Sequence, residues 1–452
     1  MKFCQLVLKT LRLAMIRVGA GWMFALLTFN FNRIAIYELG ALAILITTLI
    51  GLHHFISPFQ VVWGRISDRY PLFGYRRGPY ILLSALVASL VFVLLPSLAI
   101  QLGQGGVLVS LVSLFLMAIF GMGIAAYGAA SNALVAETTT ERERGGVVAV
   151  IWTSVILSGI VSAQAAKMIM PVYDPLQMQF LYNLTPFIVV GFVLIGLIGL
   201  ERRMSPAEQA ALKAQSLPGV SVNSPNTLWI IWDLFQRNRQ VRAFFVFILL
   251  SIFGVFLQDA ILEVFGAEVF GLTPRDTAEF QQFWGFGVLV GMVLIGALTT
   301  RLPLAKKTLA MVGGLSISLS LALMAVASST YQATLLNPAL LLMGLGTGVF
   351  NVGSLSMMME MTVDGHVGLF MGIWGMAQGL GTGLANILSG ALHTLLITTE
   401  FLLPATAYTF IFGVEALIMI LAIGVLRSIS VQEFQGLSSA DIHTAMAFDT
   451  AA

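Results

Sequence analysis

The chain is 452 residues long, 58% hydrophobic and only 10% charged, with a mean hydropathy of +0.93. An ordinary soluble domain carries about 25% charged residues and must present much of its surface to water. This composition therefore excludes a soluble enzyme, a disordered chain and a nucleic-acid-binding domain. The net charge of +2, from 23 Lys and Arg against 21 Asp and Glu, leaves no polyanion-binding surface. The single cysteine, Cys4, excludes internal disulfides and thiolate metal clusters. What remains is a polytopic helical membrane protein.

Lys2, Lys9, Arg12 and Arg17 interrupt the first apolar stretch, so no cleavable signal peptide is expected. A hydrocarbon core about 30 Å thick takes about 20 apolar residues per helix. Runs of that kind predict twelve spans. Six cover 14–33, 41–63, 79–100, 107–134, 146–169 and 180–200. Six more cover 242–263, 280–300, 308–329, 337–359, 368–396 and 407–427. The organisation is an N-terminal six-helix bundle over 1–200, a cytoplasmic linker over 201–241, a C-terminal six-helix bundle over 242–428 and a cytoplasmic tail over 429–452. The linker is polar and Pro-punctuated, with a surface helix expected over 206–215. With both termini cytoplasmic, 20 of the 23 Lys and Arg fall in inside segments, leaving only Arg33, Lys167 and Arg275 outside.

The two halves echo each other. Glu137-Thr-Thr-Thr-Glu141-Arg-Glu-Arg-Gly145 follows span four, and Glu360-Met-Thr-Val-Asp364-Gly-His-Val-Gly368 follows span ten. Asn32 to Gly40 at the end of span one likewise echoes Gln258 to Gly266 at the end of span seven. Six plus six helices in a parallel pseudo-repeat resemble the plan of the major facilitator superfamily. Gly344-x-Gly346-x-Gly348 lies inside an apolar helix and reads as helix packing rather than a nucleotide loop.

The loop between spans two and three reads Gly64-Arg-Ile-Ser-Asp68-Arg69-Tyr-Pro-Leu-Phe-Gly74-Tyr-Arg76-Arg77-Gly-Pro79-Tyr80. It resembles the superfamily's signature loop, with three extra residues between Arg69 and Gly74. Gly64 is expected to let two helices approach closely. Asp68 is expected to accept bonds from a helix N-terminus or an arginine. Arg69, Arg76 and Arg77 are expected to hold the loop at the headgroups, so that the loop latches the two halves in one state. The corresponding loop of the second half, Gly296 to Arg301, lacks the acidic residue.

The longer loop resembles the branch that holds glycoside–cation symporters, folate–biopterin carriers and the bacteriochlorophyll delivery (PucC/LhaA) family. Three segments point to the last. They are Asn32-Arg33-Ile-Ala-Ile-Tyr-Glu38-Leu39, Phe256-Leu257-Gln258-Asp259-Ala-Ile-Leu262-Glu263 and Gly368-Leu369-Phe370-Met371-Gly372-Ile-Trp374-Gly375-Met-Ala377-Gln378. Val264 stands where that family usually has proline. The resemblance spans roughly residues 14–427.

It implies a light-harvesting complex assembly factor that handles or delivers (bacterio)chlorophyll, or a related tetrapyrrole, or chaperones small antenna subunits. Its partners would be membrane lipids and small single-span antenna subunits or a reaction-centre complex, with no nucleic acid. Its site would be a phototroph's cytoplasmic, intracytoplasmic or thylakoid membrane. The alternative is a secondary active transporter of a small polar solute, glycoside-like or pterin-like. Few charges fall near the expected midplane, which speaks against a proton-coupled sugar symporter.

His53, His54, Gln258 and Gln378 are candidate pigment ligands, each with structural hydrogen bonding as the plainer role. His393 is a weaker candidate. Arg33, Glu38, Asp259 and Glu263 are candidates for gating or interhelical ion pairs. The leading expectation is an Arg33–Asp259 pair. No directly bound metal and no enzymatic motif is expected.

Overall fold

The computed structural model describes residues 2–205, 239–299, 305–361 and 367–435. The expected surface helix over 206–215, most of the linker and the end of the tail lie outside the described residues, as do Arg301 and Asp364.

The first bundle contains α1 (Lys2–Ala25), α2 (Ala43–Ile56), α3 (Gln60–Arg69), α4 (Gly78–Gln104), α5 (Val107–Thr138), α6 (Glu141–Ile169) and α7 (Pro175–Leu197). After residue 238 come α8 (Arg239–Phe256), α9 (Leu262–Phe270), α10 (Pro274–Thr299), α11 (Lys306–Thr330), α12 (Leu336–Glu360), α13 (Val367–His393), α14 (Pro404–Arg427) and the short α15 (Val431–Gln435). Among the described residues, twelve helices are long and apolar enough to cross a membrane, and each overlaps one of the expected spans.

Two spans differ in kind from the expectation. The first does not stop near residue 33. It runs on through π-helical turns at Leu26–Phe31 and Ile34–Glu38, giving a continuous candidate span from Gln5 to Glu38. The seventh is broken, with residues 257–261 forming a turn between α8 and α9. Neither feature carries a Pro or Gly signal at its centre, so apolar length alone could not reveal it.

Capping follows the sequence locally. The Asp174 side chain accepts from Gln177 N at 2.8 Å, with Pro175 in the first turn of α7. Thr140 and Glu143 form a capping box at the start of α6. Lys9 donates to Glu143 (3.2 Å) and to the Thr138 carbonyl (2.9 Å), tying α1 to that junction. The Thr140 backbone N–H, with the Lys9 ammonium second, holds the Glu143 carboxyl below the usual carboxylate range. Gly271 ends α9 in the left-handed conformation (φ 65°), where a side chain would be strained.

The chain forms two compact units that do not follow the sequence halves. The described residues of the first are those up to 205, with 258–286 and 386–408. Those of the second are 239–257, 287–299, 305–361, 367–385 and 409–435. In the first unit α1 lies against α6 and α7, while α4 lies against α5 and α7. Packing is at backbone contact: a Cβ on Gly21 would lie 2.1 Å from the Val155 carbonyl oxygen of α6. In the second unit α11 and α12 pack along their length, and a Cβ on Gly313 would lie 2.4 Å from Phe350 N. Trp374 is fully buried there. It stands edge-on to Phe244 at 4.7 Å, and its indole N–H donates to the Met361 carbonyl at 2.9 Å.

Gly64 does not serve the close approach expected of it, because a Cβ there would meet nothing within 4 Å. Its position in α3 faces open space. Gly64→Ala should therefore leave the melting temperature in detergent unchanged or raise it, since Ala is favoured over Gly in a helix by about 1 kcal/mol. Gly21→Ala should instead lower it, by the equivalent of about 1–3 kcal/mol of overpacking.

Candidate functional site

Three groups of polar side chains stand inside this apolar frame. The first is the 64–78 loop. Arg77 is 3% exposed and bonds Glu137 Oε1 through Nη2 (2.6 Å) and Nε (3.1 Å), and Ser67 Oγ through Nη1 (2.6 Å). Asp68 accepts from Arg77 and from Arg76, the latter at 3.1 Å. Burial works to lower the Arg77 pKa, but hydrogen bonds to Glu137 and Asp68 and their charges outweigh it and hold it above the usual arginine range. Glu201 caps the start of α4 by accepting from the backbone N–H groups of Arg76 (2.5 Å), Arg77 (2.8 Å) and Gly78 (2.6 Å). Gly74, at φ 82°, turns the loop so that its carbonyl accepts from Met204 N at 2.8 Å.

Every one of these partners lies in the first unit. The loop is thus a clasp within that unit. Its described acceptors are Glu137 on α5 and Glu201 after α7, which engage Arg76 and Arg77. Arg69 takes no part in the clasp and lies over the Tyr70 ring at 5.9 Å.

The second group lies at the opposite end of the first unit, where the π-helical end of span one meets the break in span seven. Asn32 donates to the Ala260 carbonyl at 2.8 Å, inside the break. Arg33, 2% exposed, donates to Glu38 Oε1 and to the Leu272 carbonyl, both at 2.8 Å. The expected Arg33–Asp259 pair is not made; the ion partner of Arg33 is Glu38. The reason is helical geometry. An α-helix stacks residues three and four apart, but a π turn brings residues five apart into register, and Glu38 is five beyond Arg33. Asp259 sits half-buried in the turn of the broken span. Glu263 is 4% exposed, and its Oε2 has no hydrogen-bond partner among the described residues. Gln258 is also buried. Asn30 accepts from the Tyr182 hydroxyl at 3.1 Å, continuing the polar seam into α7.

In a neighbouring set the sequence offered His393 only as a weaker pigment candidate and missed its partners. Glu268 of α9 meets His393 Nε2 at 3.1 Å through both carboxylate oxygens and accepts from the Tyr408 hydroxyl at 2.9 Å. Lys167 pairs with Glu279 at 2.5 Å, and Glu415, in the middle of α14, is fully buried. Glu415 thus places one fully buried carboxylate within a span, whereas Lys167 and Glu279 stand near span ends. The available signal was a carboxylate inside an apolar run, a costly placement that marks function by default.

The third group is the histidine pair of α2. His53 is buried, with Nδ1 2.7 Å from the Ile50 carbonyl oxygen. A carbonyl only accepts, so Nδ1 carries the proton and, in the neutral ring, Nε2 carries the lone pair. Its ring lies 3.9 Å from that of His54, 5.1 Å from Phe24 and 5.9 Å from Phe120. Gln378, in the second unit, is exposed and reaches Met358 Sδ at 3.8 Å. His53 and His54 stand together, while Gln258 belongs to the polar seam. Among the described residues no cluster of three or more His, Cys, Asp or Glu could hold a metal ion.

This arrangement of helices is shared with solved transporters. A POT family transporter in complex with a thioalcohol-conjugated peptide superposes with a TM-score of 0.68 at 16% identity, over 94% of this chain and 96% of that one. The nucleoside transporter NupG gives 0.67 at 13% identity, over 93% and 98%. The class is thus an all-α membrane protein of the major facilitator fold.

Within that class, the family model described as PUCC protein matches residues 30–434, and the chain belongs to this family. Similar proteins include the Bacteriochlorophyll synthase 44.5 kDa chain of Rhodobacter capsulatus, 28% identical over 422 residues, which cover 92% of this chain and 94% of that one. Protein PucC of Cereibacter sphaeroides is 27% identical over 440 residues, covering 93% and 92%.

The seam generates a measurable distinction. In double-mutant cycles on thermal stability, Arg33→Ala with Glu38→Ala should show a coupling of about 1 kcal/mol or more. Arg33→Ala with Asp259→Ala should show a clearly smaller one.

Proposed function

We propose that this protein is an assembly factor for light-harvesting complexes that handles (bacterio)chlorophyll, or a related tetrapyrrole, in the membrane, and is not an enzyme. Family membership and the names of the relatives support a role in antenna or bacteriochlorophyll assembly. The observation that carries the pigment reading is the tautomer of His53. A chlorophyll magnesium takes a neutral nitrogen ligand, and a ring nitrogen whose partner is fixed by a carbonyl is oriented for that task. Phe24, Phe120 and His54 supply flat rings beside it. In this reading His53 is the axial ligand, His54 its stacking neighbour, and Gln258 and Gln378 are secondary candidates.

The partners in this reading are small single-span antenna subunits or a reaction-centre complex. Both termini face the cytoplasm, which the distribution of Lys and Arg supports. The membrane is the cytoplasmic, intracytoplasmic or thylakoid membrane of a phototroph. The six-plus-six parallel repeat is part of the same proposal.

A second reading, a secondary active transporter of a small polar solute, is favoured by one observation. Arg33, Glu263 and Glu415 are buried charges in a fold shared with transporters.

Gentle purification from the native membrane followed by absorbance spectroscopy tests the choice. The account expects bound tetrapyrrole in the wild type, loss of most of it in His53→Leu and partial retention in His53→Gln. A colourless, partner-free protein that drives solute uptake in vesicles would overturn it in favour of the transporter.

A further inference from the structure

A crevice of about 440 Å³ opens between α3, α4 and α5. Trp63, Leu72 and Tyr80 line the part near the 64–78 loop, and Val87 and Phe115 line the part farthest from it. Phe115 and Ala126, both on its wall and eleven positions apart on α5, are separated by about 16 Å at 1.5 Å per residue. That is close to half of a hydrocarbon core about 30 Å thick, the depth of one leaflet. The polar side chain on the deep wall is Ser84, whose hydroxyl is already bonded to the Tyr80 carbonyl at 2.5 Å. The interior therefore offers a polar solute nothing to bond.

The loop end is different. The Trp63 indole N–H is buried and has no hydrogen-bond partner among the described residues. The Tyr80 hydroxyl donates to the Tyr70 carbonyl at 2.6 Å, and the exposed Arg69 guanidinium lies over the Tyr70 ring at 5.9 Å. Arg69 forms no ion pair among the described residues, whereas Arg76 and Arg77 beside it are consumed by Asp68 and Glu137. Among the described residues, the loop end thus has an N–H donor without a partner and, beside Tyr70, an arginine without an ion pair, and the rest is one leaflet's depth of hydrocarbon wall. Trp and Tyr at this level are the residues expected at a headgroup boundary.

We propose that this crevice holds one acyl chain of an anionic glycerophospholipid, with an ester or phosphate oxygen on the Trp63 N–H and the headgroup charge on Arg69. The occupant is identified by the match of charge at the loop end and of length along the wall. The site is independent of the pigment reading, since none of its residues belongs to the histidine pair.

The test is native mass spectrometry of the full chain in a zwitterionic detergent, with phosphatidylglycerol and phosphatidylcholine of identical acyl chains supplied in equal amounts. The wild type should retain one phosphatidylglycerol in preference to phosphatidylcholine. Trp63→Phe should weaken retention about fivefold, the value of one hydrogen bond. Arg69→Gln should erase the preference between headgroups, and Ala118→Phe, which fills the crevice, should abolish retention. Leu90→Phe, on an exposed part of α4 outside the crevice, should behave as wild type, and melting temperatures show that each variant is folded. Ala118→Met serves if the Phe variant does not fold. Equal retention of both lipids by the wild type, retention unchanged in a folded Ala118→Phe or Ala118→Met, or displacement of the phospholipid by an isoprenoid alcohol would each overturn the proposal.

Discussion

A chain in hydrocarbon must satisfy its own backbone, since no water is present to do so. The break in the seventh span violates that requirement locally, and the structure answers it from another helix. The Asn32 amide takes the Ala260 carbonyl and the Arg33 guanidinium takes the Leu272 carbonyl, on either side of α9. Arg33 then needs an anion, and the π turn that follows brings Glu38 to it. Bulged helix, broken helix and the pairing of buried Arg33 with Glu38 are therefore one arrangement. Removing any part leaves a buried polar group without a partner, at a cost of about 1–3 kcal/mol or more for a charge.

The same logic orders the 64–78 loop. Its extra residues would lengthen an unsupported turn, but Glu201 takes three consecutive backbone N–H groups while Arg77 gathers Glu137, Asp68 and Ser67. The loop is held by partners of its own unit, which leaves Arg69 outside the clasp. Regular helix is thus used for spanning, and irregular backbone occurs where side chains answer for it.

Much of this was legible in the sequence. The twelve spans follow from apolar length, because the hydrocarbon thickness fixes how many such residues a helix needs. The segments around Asn32, Gln258 and Trp374 carried the family resemblance, which the match over residues 30–434 upholds. What was not legible depends on tertiary partners. Leu257 to Ile261 contains no Pro or Gly, so the turn there is intelligible only once Asn32 stands beside it. The choice of Glu38 over Asp259 as partner of Arg33 rests on a π turn that no local signal announces. Glu268, His393 and Tyr408 lie on three separate helices, and only the fold brings them together. Gly64 shows the converse error: a motif glycine was given a packing role that the absence of any neighbour denies.

The central claim is that side chains of the first span stand in for the missing backbone bonds of the seventh. Amide hydrogen exchange across residues 257–272, measured for the wild type and for Asn32→Ala in the same detergent, tests it most directly. The account predicts protection in the wild type and faster exchange confined to this segment in the variant, with the other spans unaffected. Equal protection of the segment in both proteins would contradict it.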